Sequence, residues 1–166
     1  MAKPILTPEF VRERLNYNQE TGEFFWKIRP SNNTRDGQVA GAINPKGYRI
    51  IKINWIGYKA HRLAWLYVHG VWPIKDIDHI NGIKHDNRIA NLREVTTSEN
   101  SQNRRHANAN GTSGFLGVHW QPAYKCWIAC IGVNGKRKTI GRYKTAIEAS
   151  EAYLAEKRLH HKGCTI

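Results

Sequence analysis

The sequence predicts an α+β fold in which a mixed helix–strand region precedes a small three-stranded antiparallel sheet packed on one helix. Three observations carry this prediction. Short runs with strand alternation are interleaved with helical runs as far as residue 105. Three alternating runs near the C-terminus are then followed by one long helical run. Between these parts lies "HANANGTSG" (106–114), an Ala, Asn, Gly and Ser segment without apolar periodicity. We therefore predict domains over residues 1–105 and 112–166, joined by a linker at 106–111.

Caps, alternation and turn residues define the elements of the first domain. Thr7 precedes Pro8 and should cap a short helix. A hairpin is predicted in "GYRIIKINWIGYKAHR" (47–62), with Ile51 and Ile53 on the same face. The other predicted elements are a strand in "TGEFFWKI" (21–28), a helix in "AHRLAWLYVHG" (60–70) that ends at Gly70, a strand at 76–79, one helical turn in "NRIANL" (87–92) and a helix in "TTSENSQNRR" (96–105) capped by Thr97.

The second domain is predicted from a hairpin turn and a capping box. Asn134-Gly135 is a typical two-residue hairpin turn. Thr145, followed three residues later by Glu148, predicts the start of the helix in 145–161. The three strands are predicted in "FLGVHW" (115–120), "KCWIACIGV" (125–133) and "KRKTIGRY" (136–143). The apolar face of the helix is predicted to contain Ile147, Ser150, Ala152, Leu154, Ala155 and Leu159.

The charge balance favours a polyanionic partner. The chain has 26 Lys and Arg residues against 13 Asp and Glu, a formal net charge of +13. Each cation placed on a phosphate releases condensed counterions, so nucleic acid is the expected partner. A basic surface without such a partner is the alternative.

Membrane insertion and secretion are not expected. No apolar run approaches the ~18–20 residues that cross a bilayer, and the first residues lack a signal-peptide pattern. The three cysteines (Cys126, Cys130 and Cys164) form no CxxC pair. We therefore expect neither a zinc knuckle nor a disulfide framework, and a cytoplasmic location.

Asp78 and His79 are the candidate catalytic pair. A carboxylate is a suitable ligand for Mg²⁺, and an imidazole with an ordinary pKa near ~6.5 can take a proton from water. Hydrolysis of a phosphodiester needs both functions. An Asp-His pair can also be a salt bridge in a turn, and the pair alone does not separate the two. Asn91 and Asn100 favour the catalytic interpretation, because one carboxamide can bind a metal and another can hold a loop.

The residues "HRLAWLYVHGVWPIKDIDHINGIKHDNRIANLREVTTSENSQNRR" (61–105) resemble the HNH endonucleases of the phage homing type. The resemblance implies a ββα-metal fold and metal-dependent cleavage of double-stranded DNA with a single Mg²⁺ (or Mn²⁺). It implies that Asp78 and Asn100 bind the metal, that His79 is the general base, and that Asn91 braces the loop and orients His79. The third motif residue is Asn, as in the HNN branch. A non-catalytic DNA-binding regulator and a packaging-associated protein are the alternatives.

Other polar residues of the first domain are weaker candidates. His61 and Arg62 either reach the scissile phosphate or make structural hydrogen bonds. Arg104 and Arg105 should continue the helix of Asn100 and contact phosphate. The segment His85, Asp86 and Asn87 is interpreted as a solvated part of the loop.

Residues 112–160 are similar to the three-stranded DNA-binding domain of the apetala/ethylene-response-factor type. The similarity implies a sheet lying in the major groove, which a β-ribbon fits. The predicted DNA-binding face contains Trp120, Lys125, Trp127, Lys136, Arg137, Lys138 and Arg142. Alternation predicts Ile128, Cys130 and Ile140 as the residues facing the helix. For the whole chain, a monomer is favoured.

Overall fold

The computed structural model describes residues 6–31, 34–35, 37–105, 107, 113–161 and 163–165. The chain divides into two compact units, residues 1–96 and 97–166. The second unit begins before the predicted linker at 106–111, of which only Ala107 is described. The predicted domain boundary therefore stays a prediction. The α+β prediction is confirmed as a mixture of helices and small antiparallel sheets.

The first unit opens with a capped helix and two small antiparallel sheets. Thr7 Oγ1 accepts a hydrogen bond from the Phe10 amide at 3.2 Å, so the predicted cap is confirmed. The predicted hairpin at 47–62 is also confirmed, with Ile51 and Ile53 buried on one face. The elements are α1 (Pro8–Arg14), the hairpin β1 (Leu15–Asn18) and β2 (Glu23–Trp26), and the sheet β3 (Ala42–Ile43), β4 (Arg49–Ile53) and β5 (Ile56–Lys59).

The second half of this unit consists of a helix followed by a two-stranded hairpin. Helix α2 (Ala60–His69) ends at Gly70, whose φ of 73° is the left-handed conformation that favours glycine. Strand β6 (Asp76–His79) pairs antiparallel with β7 (Leu92–Val95). The predicted helical turn is present as a 3₁₀ turn at Ile89–Asn91, and it leads into β7, a strand that was not predicted. The core is formed mainly by Val11, Leu15, Phe24, Ile51, Leu63 and Leu66, all nearly inaccessible to solvent.

The second unit contains a short helix and the predicted sheet with its helix. Asn134 and Gly135 have φ angles of 52° and 75°, which confirms the tight turn. The capping box of Thr145 and Glu148 is confirmed as well. The elements are α3 (Thr97–Gln102), β8 (Val118–Gln121), β9 (Cys126–Val133), β10 (Lys136–Tyr143) and α4 (Ala146–His160), and the strand order is β10–β9–β8.

Helix α3 is shorter than the helix that the sequence predicts. The helix ends at Gln102, so Arg104 and Arg105 do not continue it. Instead, Arg105 Nη2 donates to Thr165 Oγ1 at 2.7 Å, and the Lys157 amine donates to the carbonyl of Arg104 at 2.5 Å. These contacts fix the segment after α3 within the second unit.

The buried face of α4 also differs from the prediction. Ile147 and Leu159 are 62% and 77% exposed, whereas Ala149, Tyr153 and Lys157 are buried. These three residues lie four positions apart, on one side of the helix. Of the predicted apolar face, Leu154 packs against the core of the second unit, whereas the prediction is wrong for Ile147 and Leu159, because it followed their hydrophobicity and not the packing.

The side chains of β9 that pack toward α4 are not the predicted ones but their neighbours along the strand. Ala129 and Ile131 belong to the core of the second unit, and Trp127 and Val133 pack against it. Side chains alternate along a strand, so Ile128 and Cys130 lie on the opposite face. Of the predicted inward residues, only Ile140, next to the bulge in β10, packs against this core.

Within the described part of the chain, no helix combines the length and apolarity needed to cross a bilayer.

Candidate active site

Asp78 and His79 end strand β6, and both side chains are buried, with 7% and 5% of their surface exposed. Neighbouring positions of a strand point to opposite faces, so the carboxylate and the imidazole have different surroundings. In the hairpin register, Asp78 lies opposite Arg93 and His79 lies opposite Leu92. The two groups can therefore serve different chemical tasks.

Asp78 forms an ion pair across the hairpin with Arg93. The Nε and Nη2 atoms of Arg93 both donate to Oδ2 of Asp78, at 3.0 and 2.8 Å. The Asp78 side chain is 9% exposed and that of Arg93 is 28% exposed, so the pair is only partly screened by water. Arg93 was not among the predicted site residues. Its position opposite Asp78 depends on the length of the loop between the strands.

His79 is buried beside Asn87. Its Nε2 atom is 3.4 Å from Oδ1 of Asn87, which is completely buried. Burial lowers the pKa of His79 below its ordinary value of 6.5, while the Asn87 hydrogen bond and the charge of Asp78 act in the opposite direction. The imidazole is therefore neutral at pH 7, the form that accepts a proton.

His61, in the first turn of α2, packs edge-on against His79. The two ring centroids are 4.9 Å apart with an interplanar angle of 88°, and Tyr48 packs 5.4 Å from His61. His61 is 4% exposed, and its Nδ1 atom has no hydrogen-bond partner among the described residues. Burial, followed by the charges of His79, Lys59 and Arg62, lowers the pKa of His61 to about 3. His61 thus remains neutral over a wide pH range.

Asn91 closes the loop that follows β6. Its Nδ2 atom donates to Asn81 Oδ1 at 3.0 Å and to the Asp86 carbonyl at 2.8 Å. Its Oδ1 atom accepts from the Asn81 amide at 2.9 Å. These bonds agree with the predicted bracing of the loop. The side chain that reaches His79 is Asn87, however, and not Asn91.

Asp86 and Asn87 are not the solvated loop residues that the sequence predicted. The Arg88 guanidinium donates to both oxygens of Asp86, at 2.8 and 2.6 Å, and Asn81 donates to Oδ2 at 2.7 Å. The hydrogen bond from Arg88 is the main reason that the pKa of Asp86 falls to about 2. Only His85 is exposed, as expected. The loop that contacts His79 is therefore held in one conformation by its own hydrogen bonds.

Arg62 makes structural contacts within the first unit. Its Nη2 and Nη1 atoms donate to the carbonyls of Pro73 and Lys75, at 3.1 and 3.4 Å, and its guanidinium lies 5.9 Å from the Trp72 ring centroid. Asn100 lies in α3, in the second unit, and is partly buried there.

The carboxylate of Asp78 is a donor that suits a hard divalent cation. It is buried, and Mg²⁺ in enzymes commonly binds one or two carboxylates together with substrate phosphate. Among the residues that the structure describes, no group of three or more His, Cys, Asp or Glu side chains could hold a metal ion. The guanidinium of Arg93 is adjacent to the Asp78 carboxylate.

The predicted DNA-binding residues of the second unit lie on two different faces of its sheet. Arg137 and Arg142 pair with Gly132 and Ile128 on the face opposite α4. Trp127, Lys136 and Lys138 pair on the α4 face, and Lys138 Nζ binds Glu156 of α4 at 3.1 Å. Trp120 pairs with Trp127 on that same face and is 41% exposed, whereas Lys125 ends the 3₁₀ turn before β9.

The hairpin register adds His119 to the face of Arg137 and Arg142. His119 pairs with Ile128, and its Nδ1 atom is 3.5 Å from Arg137 Nη2. The Arg142 guanidinium lies 3.9 Å from the Tyr124 ring centroid. The face formed by His119, Ile128, Arg137, Thr139 and Arg142 is called the open sheet face below.

The segment that contains β6, the loop and β7 has relatives among known proteins. Residues 58–102 match the sequence model of the HNH endonuclease family. This stretch is similar to an HNH endonuclease domain, and it is called the HNH segment below. Protein 3.8 of Escherichia phage T7 is 29% identical over 107 residues, which cover 62% of this chain and 88% of that protein. The HNH homing endonuclease I-HmuI, in a structure of its DNA binding and cleavage, has a TM-score of 0.43 and 24% identity over 90% of this chain and 88% of its own.

Asn87 and Arg93 are the residues of the HNH segment that were not predicted from the sequence. Asn87 stands in "KHDNRIANL", a polar run that resembles an exposed loop. Its burial depends on Tyr17, whose hydroxyl donates to the Asn87 carbonyl at 2.6 Å. Nothing in the local pattern could have indicated that contact. Arg93 could have been found by pairing β6 with β7 residue by residue.

Proposed function

We propose that this chain is a metal-dependent endonuclease that hydrolyses phosphodiester bonds in double-stranded DNA. The observation that carries the proposal is the buried, neutral His79 next to the buried carboxylate of Asp78, within the HNH segment. A neutral imidazole at this point can accept the proton of a water molecule that attacks phosphorus.

Asp78 and Asn100 are the residues that would bind the divalent cation, Mg²⁺ or Mn²⁺. A bound cation supplies stabilisation of the negative charge that develops on the phosphate and on the leaving oxygen. Asp78 has a carboxylate held in place by Arg93, so its orientation is fixed before substrate arrives. Asn91 contributes by holding the loop after β6 through three hydrogen bonds.

DNA binding is proposed to involve the second unit as well as the HNH segment. The net charge of +13 supports a polyanionic substrate. The exposed Arg137 and Arg142 on the open sheet face are the best-placed phosphate contacts. Lys138 is a weaker candidate because Glu156 binds its amine. A homing role in a phage is proposed from the resemblance of residues 61–105, and a monomer is the proposed oligomeric state.

The Asp78–Arg93 ion pair supports one alternative, a DNA-binding protein without catalytic activity. A guanidinium on Oδ2 reduces the negative charge that a cation would meet at Asp78. In that case the chain would bind DNA with the same dependence on salt and leave it uncut.

Plasmid cleavage distinguishes these functions. Supercoiled plasmid incubated with the full chain and Mg²⁺ or Mn²⁺ should be converted to nicked or linear DNA, and EDTA should stop the reaction. Ligation of the products would test for the 3′-hydroxyl and 5′-phosphate ends that the resemblance implies. His69→Ala is a matched control, because His69 is exposed at the end of α2, where its ring packs at a tilt against Trp65. Metal-independent binding without cleavage would overturn the enzymatic proposal.

A further inference from the structure

The least expected feature of the HNH segment is a completely buried carboxamide that faces the ring of His79. Asn87 has no exposed surface, although it lies in a loop of charged and polar residues. A buried polar group is costly unless it is hydrogen-bonded, so the partners of Asn87 indicate why it is there.

The backbone of Asn87 is held from the N-terminal hairpin. The Tyr17 hydroxyl donates to its carbonyl at 2.6 Å. Gly22 approaches so closely that an added Cβ would lie 2.4 Å from the Arg88 nitrogen and 2.6 Å from the Asn87 carbonyl carbon. The position of the Asn87 side chain is therefore fixed by contacts from β1 and the turn after it.

The orientation of the amide follows from its second hydrogen bond. Asn87 Nδ2 donates to the His85 carbonyl at 3.0 Å. A flipped amide would place two acceptor oxygens against each other, so Oδ1 is the atom directed at His79 Nε2, 3.4 Å away. A carboxamide oxygen only accepts, and His79 Nε2 must then be the nitrogen that carries the proton.

We infer that Asn87 is the positioning residue that selects the Nε2-protonated tautomer of His79 and so leaves Nδ1 as the proton acceptor. The inference rests on the proposed function in its catalytic consequence, since it names which atom of the base takes the proton from water. The tautomer of the neutral His79 ring can be measured without DNA, so this part of the inference does not depend on the proposed function.

Packing on the other side of the ring supports this role. His61 lies edge-on to His79 at 4.9 Å, and Tyr48 lies 6.2 Å from the same ring. Neither contact specifies a tautomer, because ring packing does not distinguish the two nitrogens. The hydrogen bond from Nε2 to Asn87 does, and the packed rings limit rotation about the side-chain torsion that would exchange them.

Nitrogen NMR of the full chain tests the inference. In protein carrying ¹⁵N-labelled histidine at about pH 8, above the ordinary imidazole pKa of ~6.5, the long-range ¹H–¹⁵N pattern of His79 should be that of a proton on Nε2. Comparison with His79→Gln assigns the signal. Asn87→Asp keeps an acceptor oxygen toward His79 and should keep the tautomer, while loss of the hydrogen bond to the His85 carbonyl should lower its melting temperature. Asn87→Ala removes the acceptor and should give a mixture or the Nδ1-protonated form.

Asn81→Ala is the control for a merely structural role. Asn81 braces the same loop through hydrogen bonds with Asp86 and Asn91. It should lower the melting temperature and leave the His79 tautomer unchanged. In cleavage assays, Asn87→Ala should lower kcat by about 10–100-fold with KM for DNA unchanged, the scale seen when an outer-shell hydrogen bond is lost.

The outcomes separate this inference from the proposed function. A proton on Nδ1 in the wild-type chain would overturn the inference, and so would an unchanged tautomer in folded Asn87→Ala. If Asn87→Ala does not fold, a proton on Nδ1 in the wild-type or Asn87→Asp spectrum would still overturn the inference. An Nε2-protonated His79 in a chain that fails to cut DNA would leave the positioning role intact and overturn the endonuclease proposal alone.

Discussion

Arg93 donates two hydrogen bonds to a single oxygen of Asp78 across the β6–β7 hairpin. A guanidinium and a divalent cation would therefore both be attracted to the same carboxylate. If Asp78 binds the cation, the ion pair should weaken metal binding in the free protein.

Arg93→Ala should make stability depend on metal. Removal of the guanidinium leaves a mostly buried carboxylate without this partner, at a cost of about 1–3 kcal/mol given the partial exposure of Arg93. Millimolar Mg²⁺ should raise the melting temperature of Arg93→Ala more than that of the wild type, as measured by calorimetry. The double variant Asp78→Asn/Arg93→Ala is the control and should not respond. An equal Mg²⁺ response in all three proteins would contradict metal binding at Asp78.

His79→Ala should abolish most cleavage and spare binding. Loss of a general base typically lowers the rate by ~10²–10⁴-fold, while the phosphate contacts of other residues remain. Single-turnover plasmid cleavage measures the first effect, and fluorescence anisotropy with duplex DNA measures the second. His85→Ala is the matched control in the same loop, since His85 is exposed. Cleavage by His79→Ala at the wild-type rate would show that another group acts as the base.

Acidification should destabilise the first unit through His61. The pKa of His61 is lowered from 6.5 to about 3 in the folded chain, so the unfolded chain binds the proton first. The sign is therefore that stability is complete above pH 6.5 and decreases as the pH falls toward 3. Between pH 7 and pH 5 the loss should be about 2 kcal/mol, or several degrees in Tm.

The contribution of His61 can be separated by substitution. His61→Phe keeps an aromatic ring without a titrating nitrogen, so its Tm should fall less than that of the wild type over the same pH range. His85→Asn should follow the wild-type curve. Parallel curves for wild type and His61→Phe would show that the titration of His61 does not control acid stability.

Gly22→Ala should be more harmful than another glycine substitution with the same backbone conformation. Gly22 and Gly70 have φ angles of 75° and 73°, so alanine is strained at both, by roughly 1 kcal/mol. A Cβ at Gly70 meets no described atom within 4 Å, whereas at Gly22 it overlaps the backbone of Asn87 and Arg88. Gly22→Ala should lose about 1–3 kcal/mol more in denaturant unfolding and should reduce cleavage. Equal losses would mean that the hairpin does not support the loop.

DNA affinity should depend on the open sheet face more than on the opposite face. Arg137→Ala and Arg142→Ala should each weaken binding and reduce the slope of log K against log salt by about one, as expected for one lost phosphate contact. Lys138→Ala should have a smaller effect, because its amine binds Glu156 on the helix side. Titrations over a range of salt concentrations measure both quantities. A larger effect of Lys138→Ala would place DNA on the α4 side of the sheet.

Elements that depend on neighbouring residues could be predicted from the sequence. The cap at Thr7, the turn at Asn134-Gly135 and the capping box at Thr145 each involve residues at most three positions apart. Asp78 and His79 at the end of a strand were predicted for the same reason, since strand alternation and the resemblance both concern contiguous residues.

The remaining features depend on distant contacts. Asn87 is buried because of a tyrosine 70 positions earlier in the chain. Tyr153 packs over Gly117, where a Cβ would lie 2.3 Å from the ring, so the buried face of α4 is decided by a strand-proximal glycine. Lys157 is buried because its amine reaches a backbone carbonyl. Periodicity in a sequence reports only the spacing of hydrophobic residues, and that spacing does not determine the burial of Asn87, Tyr153 or Lys157.

The hydroxyl of Tyr17 and the missing side chain of Gly22 lie well outside residues 58–102, the stretch that defines the HNH match. The loop beneath His79 is thus completed by a hairpin that the motif does not include. In evolutionary terms, the recognisable motif is shorter than the part of the chain that must be inherited together. A gene rearrangement that moved only the motif onto a new scaffold would leave behind the surface against which its loop is shaped. Successful transfer requires the N-terminal hairpin to travel with the motif, or a new scaffold that offers an equivalent hydroxyl and an equally close backbone.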